Sequence, residues 1–99
     1  MKARSVFFSP EAGEDLAQIY EWIASAASPN VALSYINRIE RKCAALDLAS
    51  NLGQARDDIR QGLRTINFER SLIIAFVVTS KSVTILRIFS GGRAWEAEL

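Results

Sequence analysis

The chain has 99 residues, 49% of them hydrophobic and 23% charged, and a formal net charge of +1. That length holds a single domain, 1–99, and the composition excludes disorder and fibrous repeats. No histidine and one cysteine exclude Ser-His-Asp and Cys-His triads, His-ligated zinc, multi-cysteine metal motifs and an internal disulfide.

Residues 4–8, Arg-Ser-Val-Phe-Phe, are short, aromatic and β-branched, and read as a strand ending at Ser9-Pro10. Ser9 can cap a helix and Pro10 fits its first position, where a missing N–H costs nothing. Glu11, Glu14 and Asp15 then lie near the positive end of the helix dipole. Leu16, Ile19, Tyr20 and Ile23 form one apolar stripe on a helix over 10–26. Trp22 and Tyr20 are expected to pack. Ser28-Pro29 repeats the start signal, and Ala32, Ile36, Ile39, Cys43 and Leu46 give the second helix its stripe. Cys43 reads as a small buried hydrophobe. So short a connection makes the two helices an antiparallel hairpin.

Residues 50–62 hold Gly53, Gly62 and several charges, and read as a loop. Three β-like runs follow over 63–68, 70–78 and 82–90, joined by short links at Glu69 and at Ser80-Lys81. Such links make hairpins, hence an antiparallel meander. In the middle strand Leu72, Ile74, Phe76 and Val78 share one face, while Ile73, Ala75 and Val77 make the other apolar too. In the last strand plain alternation sets Leu86 and Ile88 against Val83, Ile85 and Phe89. The helical hairpin covers one face, so the other is expected as an exposed apolar patch that marks a partner site. The competing reading folds the tail, with Trp95 and Leu99, over that face.

Charge is uneven along the chain. Residues 1–58 carry six basic and eight acidic side chains, and residues 59–99 carry six basic and three acidic. The basic excess suits an acidic partner but is too small to mark nucleic-acid binding by this chain alone. No apolar run reaches the roughly 18 residues of a membrane span, and residues 1–8 are too short and polar for a signal peptide. A cytoplasmic protein without a membrane, metal or cofactor partner is expected.

Several strings, in this order and spacing, are familiar. They are Phe8-Ser9-Pro10-Glu11-Ala12 with Asp15-Leu16 and Ile19-Tyr20, then Ala32 with Tyr35-Ile36 and Ile39-Glu40. Gly62-Leu63-Arg64 follows, then Ile85-Leu86-Arg87-Ile88 with Gly92-Arg93. Over residues 5–96 the chain resembles the ParE branch of the RelE/ParE toxin superfamily, the toxin half of type II toxin–antitoxin pairs. The resemblance implies an α+β fold, β-α-α-β-β-β, with the helical hairpin on one face of a mainly antiparallel sheet. It also implies a cognate ParD-like antitoxin whose disordered segment folds over the toxin. Ile73, Ala75, Val77, Val83, Ile85 and Phe89 are its candidate contacts.

Two activities divide the superfamily: cleavage of messenger RNA on the ribosome, and poisoning of DNA gyrase. Ribonuclease chemistry needs a base, an acid and phosphate-binding cations. Arg64, Arg70, Arg87 and Arg93 supply cations, but the tyrosines, Tyr20 and Tyr35, lie on the helices and Glu69 sits in a turn. Gyrase poisoning through binding is therefore the expected activity, with no catalytic residue of the chain's own. Those four arginines and Trp95 are the candidate target contacts. The alternatives are a ribosome-dependent endonuclease of the RelE type and a non-toxic antitoxin-binding module. The last is kept because Ser90-Gly91-Gly92-Arg93-Ala94 lacks the His that family members commonly carry before this step, and the Asp or Asn after the Arg.

Overall fold

In the computed structural model, which describes residues 4–90 and 95–99, both Ser-Pro steps open helices. Ser9 Oγ accepts from the Ala12 N–H at 3.0 Å and Ser28 Oγ from the Val31 N–H at 3.2 Å. They start α1 (Pro10–Ala26) and α2 (Pro29–Ala44), the second running into a 3-10 turn at Ala45–Asp47. Arg41 and Lys42 occupy the last turn of α2, where the helix dipole favours cations.

The strands are β1 (Ser5–Phe8), β2 (Gln54–Ala55), β3 (Leu63–Phe68), β4 (Leu72–Val78) and β5 (Ser82–Ser90), and a second 3-10 turn spans Trp95–Glu98. They form one sheet in the order β1-β5-β4-β3-β2. The meander pairs antiparallel as expected, and β1 joins the β5 edge in parallel, Ser5 beside Ser82 and Phe8 beside Ile85. The two-residue β2 is an addition within the stretch read as loop. It is held where Gly53, at φ +81°, presses against β3, and a Cβ there would run into the Thr65 carbonyl and the Ile66 side chain.

β1 reaches only the first half of β5. Beyond it the start of α1 takes over the open edge. The Ser9 N–H donates to the Ile85 carbonyl at 2.9 Å, the Ser9 hydroxyl to the Leu86 carbonyl at 2.7 Å, and the Ile88 N–H to Asp15 Oδ2 at 2.9 Å. A helix start thus replaces the missing strand, and edge groups that would cost free energy unpaired are satisfied.

The main core lies between the helices and the sheet. Ala12, Ile39, Cys43, Leu46, Ile66, Ile74, Phe76, Val83, Ile85 and Ile88 are buried there, with Leu16, Ile19 and Ile36 packed at its border. Burial pushes the Cys43 thiol up to about 12, which makes it an inert filler.

One register shift corrects the sequence reading. Ala75 pairs with Arg87 but Phe76 with Ile85, so Leu86 is an extra residue, a β-bulge. The bulge slips the alternation. Val83, Ile85 and Ile88 all face the helices, while Leu86 and Phe89 face the other side. Strict period-two counting had set Leu86 beside Ile88, and Val83 and Ile85 beside Phe89.

Candidate functional site

The second face of the sheet is not bare. Leu63, Ala75 and Phe89 are fully buried there under Trp95, with Ile59, Ile73, Val77, Leu86 and Leu99 packed around them. The Trp95 ring stacks on Phe89, centroids 6.0 Å apart. The 3-10 turn at Trp95–Glu98 and the stretch around Ile59 therefore form a thin second layer. The expected open patch is corrected: the tail does cover it, because one indole and one leucine suffice for the small area around Phe89. What stays open is the β1 side, where Phe7, 56% exposed, lies in one row with Thr84 and Val77.

The arginines separate by partner. Arg87 is an internal strut. Its Nε and Nη2 bind Asp15 at 2.8 and 3.1 Å, Nη1 lies 3.7 Å from Glu98, and the guanidinium sits 4.8 Å from the Phe89 ring centre. The pair is mostly withdrawn from solvent, with Asp15 only 11% exposed. Hydrogen bonding to Asp15 raises the Arg87 pKa above its ordinary value, so it is charged throughout the working range. It thus joins α1, the sheet and the C-terminal turn, and pairs with neither Asp57 nor Asp58.

Arg64 fastens the loop that follows α2. Its Nε donates to the Leu52 carbonyl at 3.0 Å and Nη2 to those of Asn51 and Gly53 at 2.6 and 3.2 Å. Arg70 is exposed on the β3–β4 turn and makes no side-chain hydrogen bond or ion pair among the described residues. Arg93 lies outside the described residues. Trp95, read as an interface anchor, is 6% exposed and serves as core instead. Arg56 lies over its ring, 5.2 Å from the centre, and is itself paired with Asp58 through two 3.0 Å bonds.

The β3–β4 turn has an unusual backbone. Glu69 and Arg70 both have positive φ, 47° and 63°, and the Ser71 N–H donates to the Phe68 carbonyl at 3.0 Å. Two-residue hairpin turns of this hand favour Asn-Gly. Here side chains hold the shape. Arg38 of α2 grips Glu69 through bonds of 2.8 and 3.1 Å, and the Tyr35 and Ser71 hydroxyls lie 2.9 Å apart. The result presents Arg70 outward on a fixed turn.

Three participants escaped the sequence reading. Asp15 stands in the sequence reading for its helix-start charge and within the family strings, with no pairing role, although an acid four places ahead of Ile19 beside the apolar stripe is a signal. Arg38 was not singled out. Trp22, expected to pack, is 72% exposed, and it walls a hollow of about 360 Å³ with Ile19, Tyr35 and Arg70. Three places after Ile19, Trp22 borders the stripe, but it sits well round the helix from Leu16 and Tyr20.

A fold of this order, with a helical hairpin on a five-stranded sheet and a basic meander, is that of a small toxin of the RelE/ParE type. A family model described as ParE toxin of type II toxin-antitoxin system, parDE, matches residues 6–95. The chain is 31% identical over 85 residues to Toxin ParE3 of Caulobacter vibrioides, covering 86% of this chain and 84% of that toxin. It superimposes on the chromosomal ParDE toxin–antitoxin system of P. aeruginosa with a TM-score of 0.77 at 29% identity, over 89% of this chain and 96% of that one. The solution structure of HP0894 from Helicobacter pylori shares the fold at a TM-score of 0.53 and 13% identity, over 94% and 98% of the two chains. The chain belongs to the ParE toxin family of type II toxin–antitoxin systems.

Proposed function

We propose that the chain is a toxin that arrests growth by binding DNA gyrase and that a ParD-like antitoxin, acidic and disordered when free, neutralises it. The observation that carries this reading is its membership of the ParE family together with its likeness to a ParDE system. The state of the polar side chains supports binding over chemistry. Among the described residues, the Tyr35 hydroxyl bonds Ser71, Glu69 is committed to Arg38, Arg87 to Asp15, and the Cys43 thiol is buried. These four groups are engaged in structural contacts rather than set as a proton-transfer pair beside the strand arginines.

Target contact falls to Arg70, the exposed cation of the meander turn, and to Arg93. For the antitoxin, Ala75 and Phe89 lie beneath Trp95, and Val83 and Ile85 lie in the helix-side core. Ile73 and Val77 keep partial exposure, and with Phe7 they are the side chains an added segment would cover.

Purified chain is expected to inhibit supercoiling by gyrase, and an added antitoxin to restore it. Normal supercoiling at saturating chain, with messenger RNA cut in a translating extract, would transfer the activity to the ribosome. Tight antitoxin binding with neither effect would leave an interaction module.

A further inference from the structure

A second cationic feature lies at the opposite end of the sheet from the β3–β4 turn. Arg4, just before β1, and Arg64, on β3, line one cleft of about 280 Å³ together with Ser50, Asp57 and Gly62. Arg4 Nε donates to the Thr79 carbonyl and Nη1 to Ser50 Oγ, both at 2.8 Å. Arg64 binds the three carbonyls of residues 51–53. Each guanidinium is therefore held by neutral acceptors. Neither has a carboxylate partner among the described residues, so no ion pair offsets either cation on the cleft wall. Arg4 Nη2 and Arg64 Nη1 have no acceptor within the described chain.

Two pre-oriented guanidinium forks with spare N–H groups around one small cleft suit a tetrahedral oxyanion. Asp57 is the acid on this lining, and its Oδ1 is turned to the Gly62 N–H at 2.8 Å. Two cations against one carboxylate leave the cleft electropositive. Its size is just under the roughly 300–1,000 Å³ that encloses a whole small ligand, so it fits one charged group with the rest of the ligand outside.

We propose that this cleft is an anion site that takes a single phosphate group between Arg4 and Arg64. The site is independent of which enzyme the toxin targets. The phosphate belongs either to a small phosphorylated compound or to the backbone of a nucleic acid.

The test is an NMR titration of the full chain at fixed ionic strength, first with inorganic phosphate and then with a short DNA duplex. The Nε–H signals of Arg4 and Arg64 and the Gly62 amide are expected to shift saturably. R4Q is expected to weaken phosphate binding about tenfold, the worth of one charge-assisted hydrogen bond. D57N keeps an oxygen for Gly62 and removes the opposing charge. It should tighten binding about two- to threefold, the order of effect expected from removing one like charge on the cleft wall in water. D57N also keeps the test open if R4Q fails to fold. Saturation by phosphate alone assigns the site to a small phosphorylated compound, and saturation by both assigns it to a nucleic-acid backbone. Absent or unsaturable shifts, equal shifts at Arg41 and Lys42, or an affinity unmoved by D57N would overturn the proposal.

Discussion

Asp15 shows how much one side chain can join. It accepts two bonds from Arg87 and one from the Ile88 N–H. Removing it leaves a strand amide unpaired and takes both hydrogen bonds from a mostly buried guanidinium, which keeps only Glu98 at 3.7 Å. Asp15→Ala is expected to cost about 3 kcal/mol, read as a lower urea midpoint at unchanged slope. Against the about 5–15 kcal/mol that holds an ordinary domain together, that is a large share. Arg70 gives the opposite case. Its left-handed backbone carries a penalty of about 1–2 kcal/mol that glycine would relieve. Arg70→Gly should therefore raise the urea midpoint and, under the proposed function, weaken gyrase inhibition. A variant both more stable and fully inhibitory would remove Arg70 from the target contact. Arg70 was legible in the sequence as a basic residue of the meander. Its exposure on a fixed turn was not, because that depends on Arg38 and Tyr35, more than thirty positions away.

At the level of elements, local signals carried α1, α2 and the three meander strands. Serine hydroxyls, prolines and apolar periodicity act within a few residues, and the helices start where those signals stand. β4 begins at Leu72 rather than at residue 70, because Arg70 and Ser71 belong to the turn. The bulge at Leu86 was illegible. It arises where α1 replaces β1 along the β5 edge, and only the assembled sheet sets that limit. It decides which face Val83, Ile85 and Phe89 take, and so which of them a partner can reach. α1 itself keeps one improvable position. Gly13 is exposed and a Cβ there would meet nothing within 4 Å. Gly13→Ala should stabilise the chain by about 1 kcal/mol and raise the melting temperature by about 4–8 °C, measured by thermal denaturation. No gain would mean that α1 frays up to this turn.

The whole molecule is a three-layer arrangement: helices, sheet, and a thin cover over the second face made by Trp95, Leu99 and Ile59. Its exposed ion pairs set the acid side of its stability. Hydrogen bonding to Arg38 holds the Glu69 carboxyl below its ordinary value, and Arg56 does the same for Asp58. Both folded values lie below the unfolded ones, so their contribution is complete above the ordinary carboxylate range. It is lost as pH falls through the depressed values. With no histidine to titrate near neutrality, stability should be flat from about pH 5 to 7 and decline below about pH 4.5, as urea midpoints across that range would show. A slope between pH 6 and 7 would contradict it. Residue order alone was enough for the class of fold, the hairpin, the meander and the family, because capping, periodicity and short links are local and a family's strings are linear. Chain folding in three dimensions settled the rest: the cover on the second face, the bulge, the burial of Arg87 with Asp15, and the cleft shared by Arg4 and Arg64. Each of these joins residues far apart in the chain. Their energies come from burial and charge pairing, which exist only once the layers have met.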